Sequence, residues 1–286
     1  MELLYGLIYL VAAPVAGGLL TGLDRKVSAR MQGRVGPPLL QPFYDVMKHF
    51  QKEKVVVAKI QNVFVLGYLL FMAFTGALFF SGGDILLVIF AMTLSHVFLV
   101  LGAYSTNSPY SFIGAERELV QMMAFEPMVI LAAAGMYLAT GSFYVSDIAG
   151  TGKALALLLP GLLLGFLYVL AFKLRKSPFD ISSSRHAHQE IVKGITTEFT
   201  GSTLGRVEIA EWYELVLMLG FVYLFFGWSP PLALVAVALA YFLELVVDNS
   251  FPRLKWPFAV KSSWVAALAL GMTNVAVLWY FARGVV

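Results

Sequence analysis

Residues 62–104 read NVFVLGYLLFMAFTGALFFSGGDILLVIFAMTLSHVFLVLGAY, two apolar runs separated by Ser81, Gly82 and Gly83. A membrane-spanning helix needs about 20 mostly apolar residues, because the hydrocarbon core is about 30 Å thick and each helical residue rises about 1.5 Å. Each run has this length. The segment therefore predicts two consecutive membrane-spanning helices.

The rest of the chain has the same character. Hydrophobic residues make up 59% of the 286 positions and charged residues 13%, whereas soluble domains contain about 25% charged residues. We therefore predict an all-α, polytopic membrane protein that forms one integral membrane domain over residues 1–286. About eight stretches qualify as spans, at residues 4–23, 62–80, 84–104, 119–140, 154–172, 207–228, 230–247 and 262–281.

The basic residues predict the orientation of these spans. All of them except Lys153 and Arg283 fall in the loops that follow odd-numbered spans, and short basic loops stay on the cytoplasmic side. We therefore expect a multi-pass protein of the cytoplasmic membrane with both termini outside. The cytoplasmic loops would cover residues 24–61, 105–118, 173–206 and 248–261, and the two long ones would dock soluble partners.

Composition also excludes some classes of function. The sequence contains no cysteine, so the chain itself has no thiolate-held iron–sulfur cluster and no disulfide. Its net charge is +3, and the basic residues form no run that would suit nucleic acid. We therefore expect no cofactor in this chain, no nucleic-acid partner, and the lipid bilayer as its surroundings.

Acidic residues inside the spans are the candidate functional residues. An ionisable group in a span costs about 2.5–3.5 kcal/mol on insertion scales, so it is a functional candidate by default. Neighbouring carboxylates in a low-dielectric site titrate together, as a proton relay or a sodium site requires. Spacings of three or four residues place them on neighbouring positions of one helical surface. The candidates from burial and spacing are Glu126, Glu208, Glu211, Glu214, Glu244 and Asp248.

Several polar residues have a plainer interpretation. Glu116, Glu118 and Glu208 lie near predicted helix starts, where a carboxylate also favours the helix dipole. His96 is expected to be a hydrogen-bonded helix-packing residue. His186 and His188, two residues apart, would point apart on a helix, which favours a structural or proton-handling role over a metal site.

A short amphipathic helix is predicted in the first long loop. Phe43, Val46, Met47 and Phe50 recur at helical spacing, with polar residues between them. Such a helix is expected to lie in the plane of the membrane interface.

Three segments resemble the H subunit of respiratory complex I, the heel subunit of its membrane arm. Residues 34–48 (RVGPPLLQPFYDVMK) resemble that family's first cytoplasmic loop. Residues 102–108 (GAYSTNS) with 114–117 (GAER) resemble its segment between helices 3 and 4. Residues 177–180 (SPFD), 190–194 (EIVKG) and 197–201 (TEFTG) resemble its long third loop.

Departures from complex I point to one branch of this family. Lys173, Arg175 and Lys176 stand where complex I usually has an acidic residue and an asparagine–arginine pair. Residues 181–190 (ISSSRHAHQE) replace a shorter stretch rich in leucine, proline and glutamate. This version is similar to the corresponding subunit of energy-converting, membrane-bound [NiFe] hydrogenases and their sulfur-reducing relatives.

The resemblance implies a division of labour. This subunit would anchor a hydrogenase-like peripheral arm, with ferredoxin as electron donor, and link its chemistry to H⁺ or Na⁺ translocation. A [NiFe] centre and iron–sulfur clusters would lie in partners: hydrogenase-like small and large subunits, an iron–sulfur subunit, and antiporter-like and small membrane subunits. The matching positions are Glu126, Asp180, Glu190, Glu198 and Glu211. Docking or loop residues would be Arg34, Gln41, Asp45, Arg117, Asp180, His186 and His188.

Three alternatives remain open at the level of sequence. The chain could serve the same role in a sulfane (polysulfide) reductase, or form the quinone site of a complex I-like dehydrogenase. A stand-alone ion transporter is the third, although the large loops are typical of partner surfaces.

Overall fold

The structure is a computed structural model that describes residues 2–53, 59–179, 182 and 193–283. This part of the chain is helical and contains no β-strand, only an isolated bridge between Asp84 and Tyr144. The all-α prediction is therefore confirmed. The helices are α1 (Glu2–Met31), α2 (Gln41–Gln51), α3 (Lys59–Phe80), α4 (Ile85–Tyr104), α5 (Pro109–Thr140), α6 (Val145–Gly150), α7 (Leu155–Leu158), α8 (Pro160–Lys173), α9 (Gly201–Phe225), α10 (Pro230–Ser250), α11 (Trp256–Ala266), a π-helical turn (Ala267–Met272) and α12 (Thr273–Arg283).

Six helices among the described residues are long and apolar enough to cross a membrane. They are α1, α3, α4, α5, α10 and the continuous segment Trp256–Phe281. The other two predicted spans are also helical. However, α8 has only 14 residues, and α9 carries Glu208, Glu211 and Glu214 within its length. The polytopic membrane fold is confirmed, and the number of eight spans stays a prediction.

Several helix ends differ from the predicted boundaries. α1 continues past residue 23 to Met31, α5 begins at Pro109 instead of residue 119, and α10 and α11 extend into the predicted loop 248–261. Hydropathy reports the apolar part of a helix, whereas backbone hydrogen bonds continue through polar residues beyond it. The loops 24–61, 105–118 and 248–261 are therefore partly helical.

The amphipathic helix is confirmed as α2, but its buried face differs from the prediction. Val46 is buried against the protein, and the Phe43 ring centroid lies 5.1 Å from that of Trp212 on α9. Met47 and Phe50 remain exposed. Sequence spacing identified the helix, but it did not show which of its side chains face α9.

The centre of the fold is α9, which packs against α1, α2, α3 and α10. The Tyr9 hydroxyl donates to the Tyr213 carbonyl oxygen at 2.8 Å, and the Tyr213 hydroxyl donates to the Leu10 carbonyl oxygen at 2.6 Å. At Gly17, a Cβ atom would lie 2.6 Å from the Trp212 carbonyl oxygen. Glycine therefore permits the close approach of α1 to α9.

Breaks inside the apolar helices are closed by side chains of the C-terminal segment. Pro127 in α5 has no N–H, which leaves the Met123 carbonyl oxygen without its helical donor; Trp264 Nε1 donates to it at 3.2 Å. Between α7 and α8, the Asn274 side chain accepts from the Leu162 amide at 3.1 Å. Within a membrane, such backbone groups need partners from the protein.

Candidate functional site

Three buried cations lie at the last residue of α8 and just after it. Lys173, Arg175 and Lys176 are each 4–5% exposed. Charges removed from water are costly unless they are paired and hydrogen-bonded. The segment after α8 therefore requires acidic partners from other helices.

Arg175 joins α5 to α9. Its Nη2 lies 2.9 Å from Glu118 Oε1, and its Nη1 lies 2.6 Å from Glu211 Oε1. Its backbone has φ +48°, a left-handed conformation that costs a residue with a Cβ roughly 1–2 kcal/mol. The two ion pairs hold the guanidinium in place and offset this cost.

Lys173 forms a triad with a histidine and a glutamate. Its Nζ lies 2.8 Å from Glu214 Oε1 and 2.5 Å from His96 Nε2, and the same His96 nitrogen lies 2.9 Å from Glu214 Oε1. The ammonium also lies 4.1 Å from the centroid of the Phe125 ring. His96 is hydrogen-bonded, as predicted, but its partners are charged groups.

Lys176 is the third cation. Its Nζ lies 3.0 Å from Asp24 Oδ2 on α1 and 4.8 Å from the centroid of the Tyr241 ring on α10. The next backbone amide, that of Ser177, donates to Asp248 Oδ1 at 2.8 Å. These contacts connect the segment after α8 to α1 and α10.

A cavity of about 930 Å³ opens onto this network. It extends from Arg34 and Gly36, after α1, to Glu214 in the interior. A polar cavity of this size holds water. Its acidic lining residues are Asp24, Glu208, Glu211, Glu214 and Asp248, and its basic ones are Arg25, Arg34, Lys173, Arg175, Lys176, Lys193 and Arg253.

Comparison with known proteins places this arrangement in a family. A profile of the NADH dehydrogenase family matches residues 4–279. The chain belongs to the NADH dehydrogenase family. The resemblance to the H subunit of complex I, drawn from the loop motifs, is thereby confirmed.

Relatives of this NADH dehydrogenase-family chain come from several complexes. It is 29% identical to hydrogenase-4 component C of Escherichia coli, over 92% of this chain and 90% of the relative. It is 28% identical to the H subunit of the NADH-quinone oxidoreductase of Geobacillus kaustophilus, over 98% and 96%. A solved structure of the membrane-bound sulfane sulfur reductase, an archaeal respiratory membrane complex, shares its fold, with a TM-score of 0.87, 23% identity and coverage of 97% and 99%.

Charged groups beside the cavity, outside the spans, have shifted pKa values. Burial alone would raise the pKa of Asp45, but hydrogen bonds from Arg25 (2.6 Å) and Gln41 (2.9 Å) outweigh it and hold that pKa below its ordinary value. Burial, with Lys52 and Lys193 nearby, lowers the pKa of His49. His49 Nε2 lies 3.5 Å from Glu208 Oε1, but the lowered pKa keeps the imidazole neutral near pH 7, so this contact is not an ion pair at that pH.

Most of the carboxylates predicted to take part in ion coupling lie close together in the structure. Glu208, Glu211, Glu214 and Asp248 line the cavity. Glu244 is 3% exposed, and its Oε2 has no hydrogen-bond partner among the described residues. These five residues form one region at the start of α9 and the end of α10.

Other predicted residues lie apart from the network. Glu126 accepts a hydrogen bond from the Thr93 hydroxyl at 2.9 Å, between α5 and α4. Glu198 accepts from Gln61 Nε2 through its backbone carbonyl at 3.3 Å. Arg117 is half-buried on α5, outside the cavity lining. Four predicted residues lie outside the described part of the chain: Asp180, His186, His188 and Glu190.

Three of the predicted docking residues lie at or beside the cavity. Arg34 lines the cavity and donates a hydrogen bond to the Gln32 side chain. Gln41 and Asp45 are hydrogen-bonded to each other on α2, and Asp45 accepts from Arg25, which lines the cavity.

Sequence reasoning missed the basic half of the site. The loop motifs identify Lys173, Arg175 and Lys176 only as departures from complex I, and Glu118 had an interfacial interpretation. The available signal was three cations within four residues at the end of an apolar stretch, which require buried carboxylates nearby. In the described part of the chain, no group of three histidine, aspartate or glutamate residues could hold a metal ion.

Proposed function

We propose that this chain is the membrane-anchoring and ion-coupling subunit of a multisubunit, ferredoxin-linked [NiFe] hydrogenase. It links redox chemistry in the peripheral arm to H⁺ or Na⁺ translocation through its buried carboxylates. The observation that carries this proposal is the cavity that runs from Arg34, at the loop surface, to the Lys173–Glu214 pair in the interior.

The charge network supports coupling because its members interact strongly at low dielectric. A change of charge or geometry at the cavity mouth alters which carboxylate inside holds a proton. Coupling also requires a structural element that adopts two conformations. The peripheral arm and the buried carboxylates must both shift the balance between these conformations. The loop 173–206 serves as that element, because it carries all three buried cations and leads into α9.

The hydrogenase assignment rests on sequence. The relative at 29% identity over 92% of this chain is a hydrogenase component, and residues 181–190 resemble that branch of the family. Because the sequence has no cysteine, the [NiFe] centre and iron–sulfur clusters belong to partner subunits. These are the hydrogenase-like small and large subunits and an iron–sulfur subunit, with antiporter-like and small membrane subunits beside them.

A sulfane reductase is the second candidate, favoured by the fold shared with the sulfane sulfur reductase structure. A quinone site is disfavoured by residues 181–190, which resemble the hydrogenase branch of the family rather than complex I. Quinone bound in the purified complex would reverse that order.

The orientation follows from the basic loops. We place the cavity mouth, with Arg34, Gln41 and Asp45, on the cytoplasmic side of the cell membrane, where the peripheral arm docks, and both termini outside. Two further sets of predicted residues would extend these regions. Arg117, Asp180, His186 and His188 would extend the docking surface, and Glu126, Glu190 and Glu198 would extend the carboxylate chain.

The first test is purification of the intact complex through a tag on this chain, with metal analysis and activity assays using reduced ferredoxin. Nickel with iron and hydrogen evolution are the expected results. Iron without nickel, together with polysulfide reduction, would replace the hydrogenase with the second candidate. A preparation without any metal-bearing partner would contradict the proposal for both.

Coupling itself is tested by Glu211→Gln and Glu126→Gln. We expect the Glu211→Gln complex to assemble and to keep ferredoxin-driven hydrogen evolution in detergent. Its rate of ion translocation in proteoliposomes should fall at least about tenfold. Glu126→Gln, outside the cavity, tests whether the path continues toward α4. Normal assembly with full translocation in both variants would rule out the carboxylate path.

A further inference from the structure

The His96–Lys173–Glu214 triad contains two contacts that require different protonation states. Nε2 of His96 lies 2.5 Å from Lys173 Nζ and 2.9 Å from Glu214 Oε1. An ammonium donates to Nε2 only if that nitrogen is unprotonated, whereas a carboxylate accepts from Nε2 only if it carries hydrogen. A single ring nitrogen satisfies one of these contacts at a time.

The triad lies between the cavity and the buried interior. Lys173 and Glu214 line the cavity, whereas His96, on α4, is 2% exposed and is not part of the lining. His96 Nδ1 and the hydroxyl of Tyr68, which is fully buried, have no hydrogen-bond partner among the described residues. Their ring centroids are 6.0 Å apart. A histidine kept only for packing would use both ring nitrogens, because buried polar atoms are nearly always paired.

We propose that His96 is a proton-accepting residue that takes a proton from Lys173 and so carries it from the cavity side of the network to the side facing Tyr68. This inference rests on the proposed coupling function and deepens it. In the first state, Lys173 is an ammonium that donates to Glu214 and to Nε2, and the neutral imidazole carries its hydrogen on Nδ1.

The transfer is balanced within the triad. One Nζ–H bond of Lys173 breaks, its electron pair stays on Nζ, and an N–H bond forms at His96 Nε2. The resulting imidazolium donates Nε2–H to Glu214, while Nδ1–H, which has no partner among the described residues, lies in the buried interior near the Tyr68 ring. The sum of charges on the three groups is unchanged, and Glu214 remains a carboxylate beside whichever group is positive.

The transported ion at this element is therefore H⁺. The reason is that Nζ and Nε2 bind protons. Because Lys173 lines the cavity, its proton is restored from the cavity side after the transfer.

The decisive variant is Lys173→Arg. Arginine keeps the positive charge and the ion pair with Glu214, but its guanidinium does not release a proton in proteins. We expect the complex to assemble, to keep hydrogen evolution in detergent, and to lose at least about tenfold of its proton translocation per electron in proteoliposomes. If Lys173 had only a structural role, this change would leave proton translocation intact.

His96→Gln provides the second test, because glutamine keeps a donor and an acceptor but does not take up a proton. The same loss of translocation is expected, and this variant decides the question if Lys173→Arg fails to assemble. Ser95→Ala is the matched control: it removes the neighbouring buried hydrogen bond from the Ser95 hydroxyl to the Tyr68 carbonyl oxygen, 2.9 Å long, and should keep wild-type translocation.

Wild-type translocation in an assembled Lys173→Arg or His96→Gln complex would overturn the relay. An equal loss in Ser95→Ala would also overturn it, since the effect would then report disturbed packing. Failure of the proposed function is distinguishable, because the wild-type complex would then show no redox-driven translocation at all.

Discussion

Asp24 and Arg25 are consecutive on α1, yet their ion pairs belong to different regions. Arg25 Nη1 lies 2.6 Å from Asp45 Oδ2, with side-chain exposures of 41% and 26%. Asp24 Oδ2 lies 3.0 Å from Lys176 Nζ, with exposures of 14% and 4%. By distance alone the Arg25 pair would be the stronger. Burial reverses this order, because solvent screens the exposed pair, whereas an unpaired charge at the buried Lys176 or at Asp24 is costly.

The same contrast separates the two polar regions of the molecule. The α2 surface holds its charges in contact with solvent, where a lost partner is replaced by water. The network after α8 holds Lys173, Arg175 and Lys176 in the interior. The loss of a partner is therefore expected to cost more stability in this network than on the α2 surface, and substitutions should distinguish the two regions by the size of their effects.

The largest effect is expected for Arg175→Met. This change leaves Glu118 and Glu211 without their shared cation, and breaking a buried pair in this way costs about 3–5 kcal/mol. The measurement is the thermal stability of the purified complex, with its assembly yield. Arg25→Met is the control on the exposed side. Equal losses for the two variants would contradict the contrast between the regions.

A smaller loss is expected for Lys176→Met. The methionine fills the space over Tyr241, but Asp24 loses its ionic partner, and a hydrogen bond to a charged group is worth about 1.5–3 kcal/mol. Since Asp24 lines a cavity large enough to hold water, hydration is expected to recover part of this loss. The loss of stability is measured by thermal unfolding of Lys176→Met and of the double variant Lys176→Met/Asp24→Asn. The double variant should be the more stable of the two, because it has no unpaired carboxylate at position 24.

The smallest effect is expected for Asp45→Asn, at most about 1 kcal/mol, as for other exposed pairs. Because the folded-state pKa of Asp45 is lowered, its contribution is fully present above the ordinary aspartate range and is lost as pH falls through the lowered pKa. Asp45→Asn should therefore change thermal stability equally at pH 6 and pH 8. A difference that grows between these two values would contradict this assignment.

Much of the fold followed from sequence. Runs such as 62–80 and 84–104 predicted α3 and α4, because a helix that crosses lipid must be apolar along its whole length. Residues 34–48 and 197–201 identified the family. The spacing of Glu208, Glu211 and Glu214 identified the start of α9 as a polar site.

The partners of these carboxylates could not be predicted in the same way. Helical spacing says which residues share a face, but not which face of which helix lies opposite. Glu214 meets His96 from α4 and Lys173 from α8, which are 118 and 41 residues away in sequence. Likewise, Glu118 is turned inward by Arg175, although its position near a predicted helix start suggested the interface.

The sequence by itself determined that this chain is a helical membrane protein of the NADH dehydrogenase family with acidic residues in its spans, because hydropathy, periodicity and loop motifs are local properties. Only the tertiary structure decided that three cations after α8 enter the interior, that each meets its own carboxylate, and that a cavity joins them to the loop surface. The physical reason is that pairing of buried charges depends on how distant helices pack, and the cost of an unpaired buried charge makes that packing specific.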